Sequence, residues 1–164
     1  MSKYTDVMSY LKSLGLTSLD TFEGRVSIQK IVYILRQFGA ELPFGYTWYA
    51  HGPYSPDLTK TLFNPAPGEE GSTKEPTKHQ LAIMNDVRTF LGSDFYSVDS
   101  LELIASLIFL INHAQEQGLT SKAIVNEFLW KKKPQFSNTE IEAAWKRIKA
   151  SGRWNERIAA LQGA

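Results

Sequence analysis

The chain has 164 residues, a mass of 18.5 kDa and a net charge of +1, with 43% hydrophobic and 21% charged residues. That balance excludes fibrous and intrinsically disordered classes and predicts one self-sufficient domain, because a chain of this length buries about two thirds of its unfolded surface. There are no cysteines, so disulfides, zinc ribbons and thiol nucleophiles drop out and a reducing cytoplasm is the simplest setting.

In chain order, Val7, Met8, Leu11 and Leu14 have the spacing of a short amphipathic helix over 3–14 that stops at Gly15. A Thr/Ser/Asp connector occupies 16–23. From Arg25, residues Ile28, Ile31, Val32, Ile34, Leu35 and Phe38 fall within roughly 160° of a helical wheel, and Gly39 stands at the stop position. Tyr46-Thr-Trp-Tyr49 favours extended backbone, giving a small β element near 44–51 that Gly52 and Pro53 break. Ser55-Pro56-Asp57 then has an N-cap, a proline suited to the first helical position and an acid at the positive helix end, so a helix starts at Pro56.

Residues 64–77 hold three prolines and two glycines without apolar period and are expected to form a long, flexible loop. Thr77 to Gln80 has capping-box spacing before Leu81, Met84, Val87 and Leu91. The segment 98–117 is apolar on nearly every side through Ile111, which predicts the central helix of a mainly α bundle. Its dense run, Leu103–Ile111, is about half of the ~20 residues a membrane crossing needs, and the N-terminus lacks the apolar stretch of a secretion signal; no membrane association or export is expected. Thr120 is read as the cap of a helix through Trp130, Ser137-Asn-Thr-Glu140 as a capping box for 141–149, and 155–161 as a final turn or two.

The block Arg25, Ile28, Gln29, Lys30, Ile31, Val32, Tyr33, Gly39, then Trp48, Tyr49, Gly52, Pro53, Tyr54, Ser55, Asp57 and Leu58 resembles the signature shared by the YwgA-like proteins and the SocA-like Panacea antitoxin domain. The resemblance implies a mainly helical single domain with a small β element and a winged-helix-like core. It also implies a place in toxin–antitoxin or mobile-element systems, where members neutralise a toxin through protein contact. On that basis the chain is expected to be a non-enzymatic interaction domain with a protein partner, a cognate toxin, and no cofactor; the alternative is a winged-helix-like nucleic-acid-binding regulator.

Arg25, Gln29, Tyr33 and Arg36 lie within about 80° of one another on the helical wheel, able to meet the Tyr49–Tyr54 turn. Two readings compete. Arg25, Gln29, Lys30, Tyr33, Tyr49, His51 and Tyr54 form a recognition face offering hydrogen bonds and charge, or Gln29 and Tyr33 hold the backbone groups of the turn. The second is preferred for those two because buried polar groups are generally satisfied. Gly39, Gly52, Pro53, Ser55, Pro56 and Asp57 belong to the motif's structure.

His51, Ser55 and Asp57 invite a catalytic-triad reading, which fails because Ser55 is explained as a cap and neither a nucleophile elbow nor an oxyanion loop is present. No phosphate-binding loop or dinucleotide fingerprint occurs. The three histidines have no metal-ligand spacing, so no metal is expected. Charge is uneven: residues 1–130 carry 10 basic against 14 acidic groups, while 131–164 carry 8 against 3. Lys131, Lys132, Lys133, Lys146, Arg147 and Arg153, interleaved with Trp130, Trp145 and Trp154, are candidate nucleic-acid contacts, with helix packing as the preferred reading of the tryptophans.

Overall fold

A computed structural model describes residues 2–16 and 18–164, so Thr17 of the predicted connector and the initial Met1 lie outside the described residues. Among the described residues, eight α-helices and one two-stranded antiparallel sheet make the protein mainly α. The chain divides into two compact units, one ending at Glu102 and one beginning at Leu103.

The first unit opens with α1 (Lys3–Ser13), whose N-cap Ser2 accepts from the Thr5 amide. Helix α2 spans Phe22–Gln37, starting earlier than the apolar pattern predicts because the Thr21 hydroxyl accepts the Gly24 N–H at 3.0 Å. Gly24 is required there: a Cβ would sit 2.6 Å from the Ser18 carbonyl oxygen, where the connector crosses the helix start. Gly39 ends the segment with φ +101°.

The small β element is a hairpin, and its extent differs from the expected break at Gly52 and Pro53. Strand β1 (Thr47–Tyr49) pairs with β2 (Gly52–Tyr54) in register Thr47–Tyr54, Trp48–Pro53 and Tyr49–Gly52, so Gly52 and Pro53 begin a second strand instead of breaking the first. A two-residue connection at Ala50 and His51 makes this possible, with Gly52 at φ +88° supplying the turn. Pro53 is tolerated because a two-stranded ribbon leaves one side of each strand without a ladder partner.

Helix α3 (Pro56–Phe63) begins where the Ser-Pro-Asp signal places it, with the Ser55 hydroxyl accepting the Leu58 N–H. Helix α4 (Lys78–Leu91) carries the full Thr77–Gln80 capping box, and a 3-10 turn, Gly92–Tyr96, follows. Helix α2 packs against β2 and α4, and α1 against α3. The 64–77 loop is fastened to α1 through its second half. The Gly71 amide donates to the Tyr4 hydroxyl at 2.9 Å, Ser72 and Thr5 hydroxyls meet at 2.8 Å, the Lys74 amide donates to Ser9 at 2.8 Å, and the Lys74 ammonium pairs with Asp6 at 2.7 Å.

The boundary between the units falls inside α5 (Val98–His113). Every residue from Leu101 to Ile111 is buried, as the all-round apolar pattern predicts. The helix stops at His113, short of the predicted 117, because the Leu119 amide turns back onto the Ala114 carbonyl through Gly118 at φ +69°. In the second unit α6 (Lys122–Lys132) is capped by Ser121, one residue beyond the predicted Thr120, and α7 (Asn138–Ser151) carries the full Ser137–Glu140 capping box. The short α8 (Asn155–Ala159) leads to Gln162, which bonds through its backbone to Thr120 and Lys122 and ties the chain's end to the start of α6.

Candidate functional site

Gln29 is the keystone of the first unit's polar wiring. Its side-chain amide donates to the Ser55 carbonyl at 3.0 Å and accepts the Ser55 N–H at 2.9 Å, so one side chain stands in for a strand partner; Nε2 also meets the Thr59 hydroxyl at 2.9 Å. Lys30 is 1% exposed, and its ammonium donates to the Pro53 carbonyl at 2.6 Å. Consecutive residues of α2 thus hold the second strand and the start of α3. The reading of Gln29 as a brace for the turn is what the geometry shows, and Lys30 acts as an internal brace in place of the expected surface charge.

Tyr33 is corrected more fully. It is buried with its ring edge-on to Tyr46, centroids 5.0 Å apart, and it does not line the groove that the other candidates share. The Tyr46 phenol is pushed well above its ordinary value by burial, against the opposing pull of the nearby Arg36 guanidinium, so it stays a neutral packing group.

Arg25, Gln29, Lys30, Tyr49, His51 and Tyr54 do come together, around an apolar groove of about 350 Å³ framed by the first half of α2, the hairpin and α3. Phe22, Val26, Leu62 and Phe63 supply much of its apolar wall. Three aromatic side chains stand half exposed around this groove: Phe22 at 56%, Tyr49 at 48% and Phe63 at 49%. Phe22 stacks edge-on against His51 at 5.1 Å, Tyr49 lies 4.9 Å from Tyr54, and the Tyr54 hydroxyl meets that of Thr59 at 2.8 Å. His51 Nδ1 lies 3.1 Å from Oε1 of Glu102, which is buried on the second turn of α5.

Sequence reasoning missed Phe22, Phe63 and Glu102. Phe22 was within reach, since Phe22, Val26 and Gln29 share one helical face once Thr21 is taken as the cap. Glu102 was not, since 51 residues separate it from His51.

His51, Ser55 and Asp57 do not bond one another. Ser55 is fully buried as a cap, Asp57 pairs with Lys3 at 2.7 Å, and His51 is held by Glu102. Among the described residues, no group of three or more His, Asp or Glu is placed to hold a metal ion. No helix among the described residues is long and apolar enough to cross a membrane.

The basic candidates of the second unit separate by burial. Lys133 is 1% exposed, which removes it from any phosphate-contacting surface: α6 ends at Lys132 and the chain turns inward toward buried Phe136. Lys131 is exposed but pairs with Glu127 at 3.0 Å, and Lys132 lies over the Phe128 ring. Lys146 and Arg153 are exposed, and Arg147 is half-buried. Trp145 and Trp154 are core residues, with the Trp145 indole N–H donating to Asn126 at 2.8 Å, whereas Trp130 is nearly half exposed. Set beside known proteins, the chain matches no family model, no curated protein and no solved structure.

Proposed function

We propose that this chain is a protein-interaction domain of the Panacea antitoxin type, and that the groove between α2, the hairpin and α3 receives its protein partner, a cognate toxin. One observation carries the reading: half-exposed Phe22, Tyr49 and Phe63 surround an apolar groove whose frame is braced from within by Gln29 and Lys30. Clusters of exposed aromatic side chains on a rigid support are the usual anchors of protein interfaces, because they bury much apolar area while ordering few rotamers. The signature residues Gln29, Lys30, Ser55 and Leu58 support it too, since they build the frame on which the aromatic groups stand.

The test is co-expression with the product of the neighbouring reading frame. The wild-type chain is expected to co-purify with that product and to relieve the growth arrest it causes, while Phe22→Asp and Phe63→Asp, verified as folded by circular dichroism, lose both effects. A wild-type chain that neither captures the product nor restores growth overturns the reading.

A further inference from the structure

The groove is apolar in its walls but one-sided in its charges. Its lining includes Arg25 and Lys30 and, among the described residues, no aspartate or glutamate. Lys30 is turned to the Pro53 carbonyl inside the fold. Arg25 gives one guanidinium N–H to the Leu19 carbonyl at 3.0 Å and is half-buried, leaving the rest of its fixed fork without a partner among the described residues. A guanidinium held by one donor while the others stay open is preorganised for a carboxylate, whose two oxygens match the fork.

His51 adds a second polar point. The Glu102 carboxylate accepts from Nδ1–H, so in the neutral imidazole Nε2 is left as an acceptor, suited to an N–H. A carboxylate, an N–H and an apolar body are found together in a peptide. A volume of about 350 Å³ lies at the small end of ligand sites and suits one bulky side chain. Phe22, Tyr49 and Phe63, each about half exposed, leave further apolar surface for the rest of a chain to cover, which a small molecule seated inside the groove would leave wet.

We propose that the groove's occupant is the C-terminal peptide segment of the protein partner, in which a bulky apolar side chain enters the groove while the adjacent chain-end carboxylate is held by Arg25. This names the anchor within the interaction reading and rests on it.

The test uses the full chain, isotope-labelled, titrated with acetyl-Ala-Ala-Leu-Phe bearing a free C-terminal carboxylate and with the same peptide as its amide, followed by amide NMR shifts. The acid is expected to perturb resonances of α2, the hairpin and α3 and to bind about tenfold tighter than the amide, the scale of one hydrogen-bonded charge pair. Arg25→Gln should erase that preference and Arg25→Lys restore part of it, whereas Phe63→Ala should weaken acid and amide alike. Equal binding of acid and amide, or shifts confined to other elements, overturns the proposal, and so does an absence of binding by both. The two readings fail separately: a chain that captures its neighbouring partner but ignores the peptide acid keeps the interaction function and loses this anchor, while one that binds the acid through Arg25 but captures no partner does the reverse.

Discussion

The first and second units solve the same problem with different materials. In the first, α2 spends polar side chains inward: Gln29 and Lys30 are buried and bonded to the backbone of Pro53 and Ser55, so a short hairpin with little core of its own is held in place. In the second, order comes from apolar burial and from caps at the helix ends, with Trp145 fully buried between Ile141 and Ile148 along α7 and the charged groups of α6 largely outside. Directional bonds fix one geometry and leave neighbouring apolar side chains free to face outward, whereas burial draws apolar side chains in. That is a physical reason for the half-exposed aromatic cluster to lie around the hairpin.

Breaking the second unit should take volume. Trp145→Ala is expected to destabilise it by about 4 kcal/mol, the cost of an emptied aromatic site, read as early urea unfolding. Trp145→Phe should recover most of the loss, since the ring fills much of the space and only the bond to Asn126 goes. Equal damage from Phe and Ala would mean that this bond, and not burial, holds α7, and the contrast with the first unit would collapse.

Breaking the first unit should take polarity. Gln29→Ala strands the buried Ser55 N–H, while the Ser55 carbonyl keeps the Thr59 N–H at 3.3 Å, and is expected to cost about 2 kcal/mol, on the scale of one unsatisfied backbone group. Gln29→Leu should be no better, because volume cannot replace the bonds. Hydrogen exchange at the Ser55 and Leu58 amides is the local readout: both should lose protection in either variant, and a protected Ser55 amide in Gln29→Leu would show that packing suffices.

What could be read without coordinates follows the same division. Local chemistry was legible: Ser55-Pro56-Asp57 announces the start of α3, Thr77 and Gln80 that of α4, and Ser137 and Glu140 that of α7, because a cap and its target lie within one turn. The apolar walls of α2 and α5 were legible from their periodicity. The second hairpin strand was not, because Pro53, lacking an N–H, speaks against a strand until the ribbon is seen to leave that side unpaired, and the Lys30 ammonium that holds its carbonyl comes from 23 positions away. Lys133 looked like the end of a surface basic run, and only the inward turn toward Phe136 reveals it as buried. The groove was half legible: Arg25, Tyr49 and Tyr54 belong to one signature and His51 falls within its span, while Phe63 lies outside it and Phe22 depends on where α2 begins.

The smallest effect sharpens the comparison at the surface. Ser137 and Glu140 close the start of α7 reciprocally, with the Ser137 N–H donating to the Glu140 carboxylate at 2.9 Å and the Glu140 N–H to the Ser137 hydroxyl at 3.1 Å. Ser137→Ala should cost about 1 kcal/mol, the ordinary worth of an N-cap. The backbone bond from Ser137, followed by its side-chain bond, holds the Glu140 carboxyl below its ordinary range. A group whose folded pKa is depressed adds stability that is fully present above its unfolded pKa and is lost as pH falls through the lower folded value. The melting temperatures of wild type and Glu140→Gln should therefore differ most at about pH 7 and converge as pH falls below the ordinary carboxylate value and through the lower folded one, where the carboxylate's advantage over the neutral amide disappears. A gap that stays constant across that range would remove the charge from the cap and leave only the amide-equivalent hydrogen bond, making this helix end as purely geometric as the Gln29 clasp.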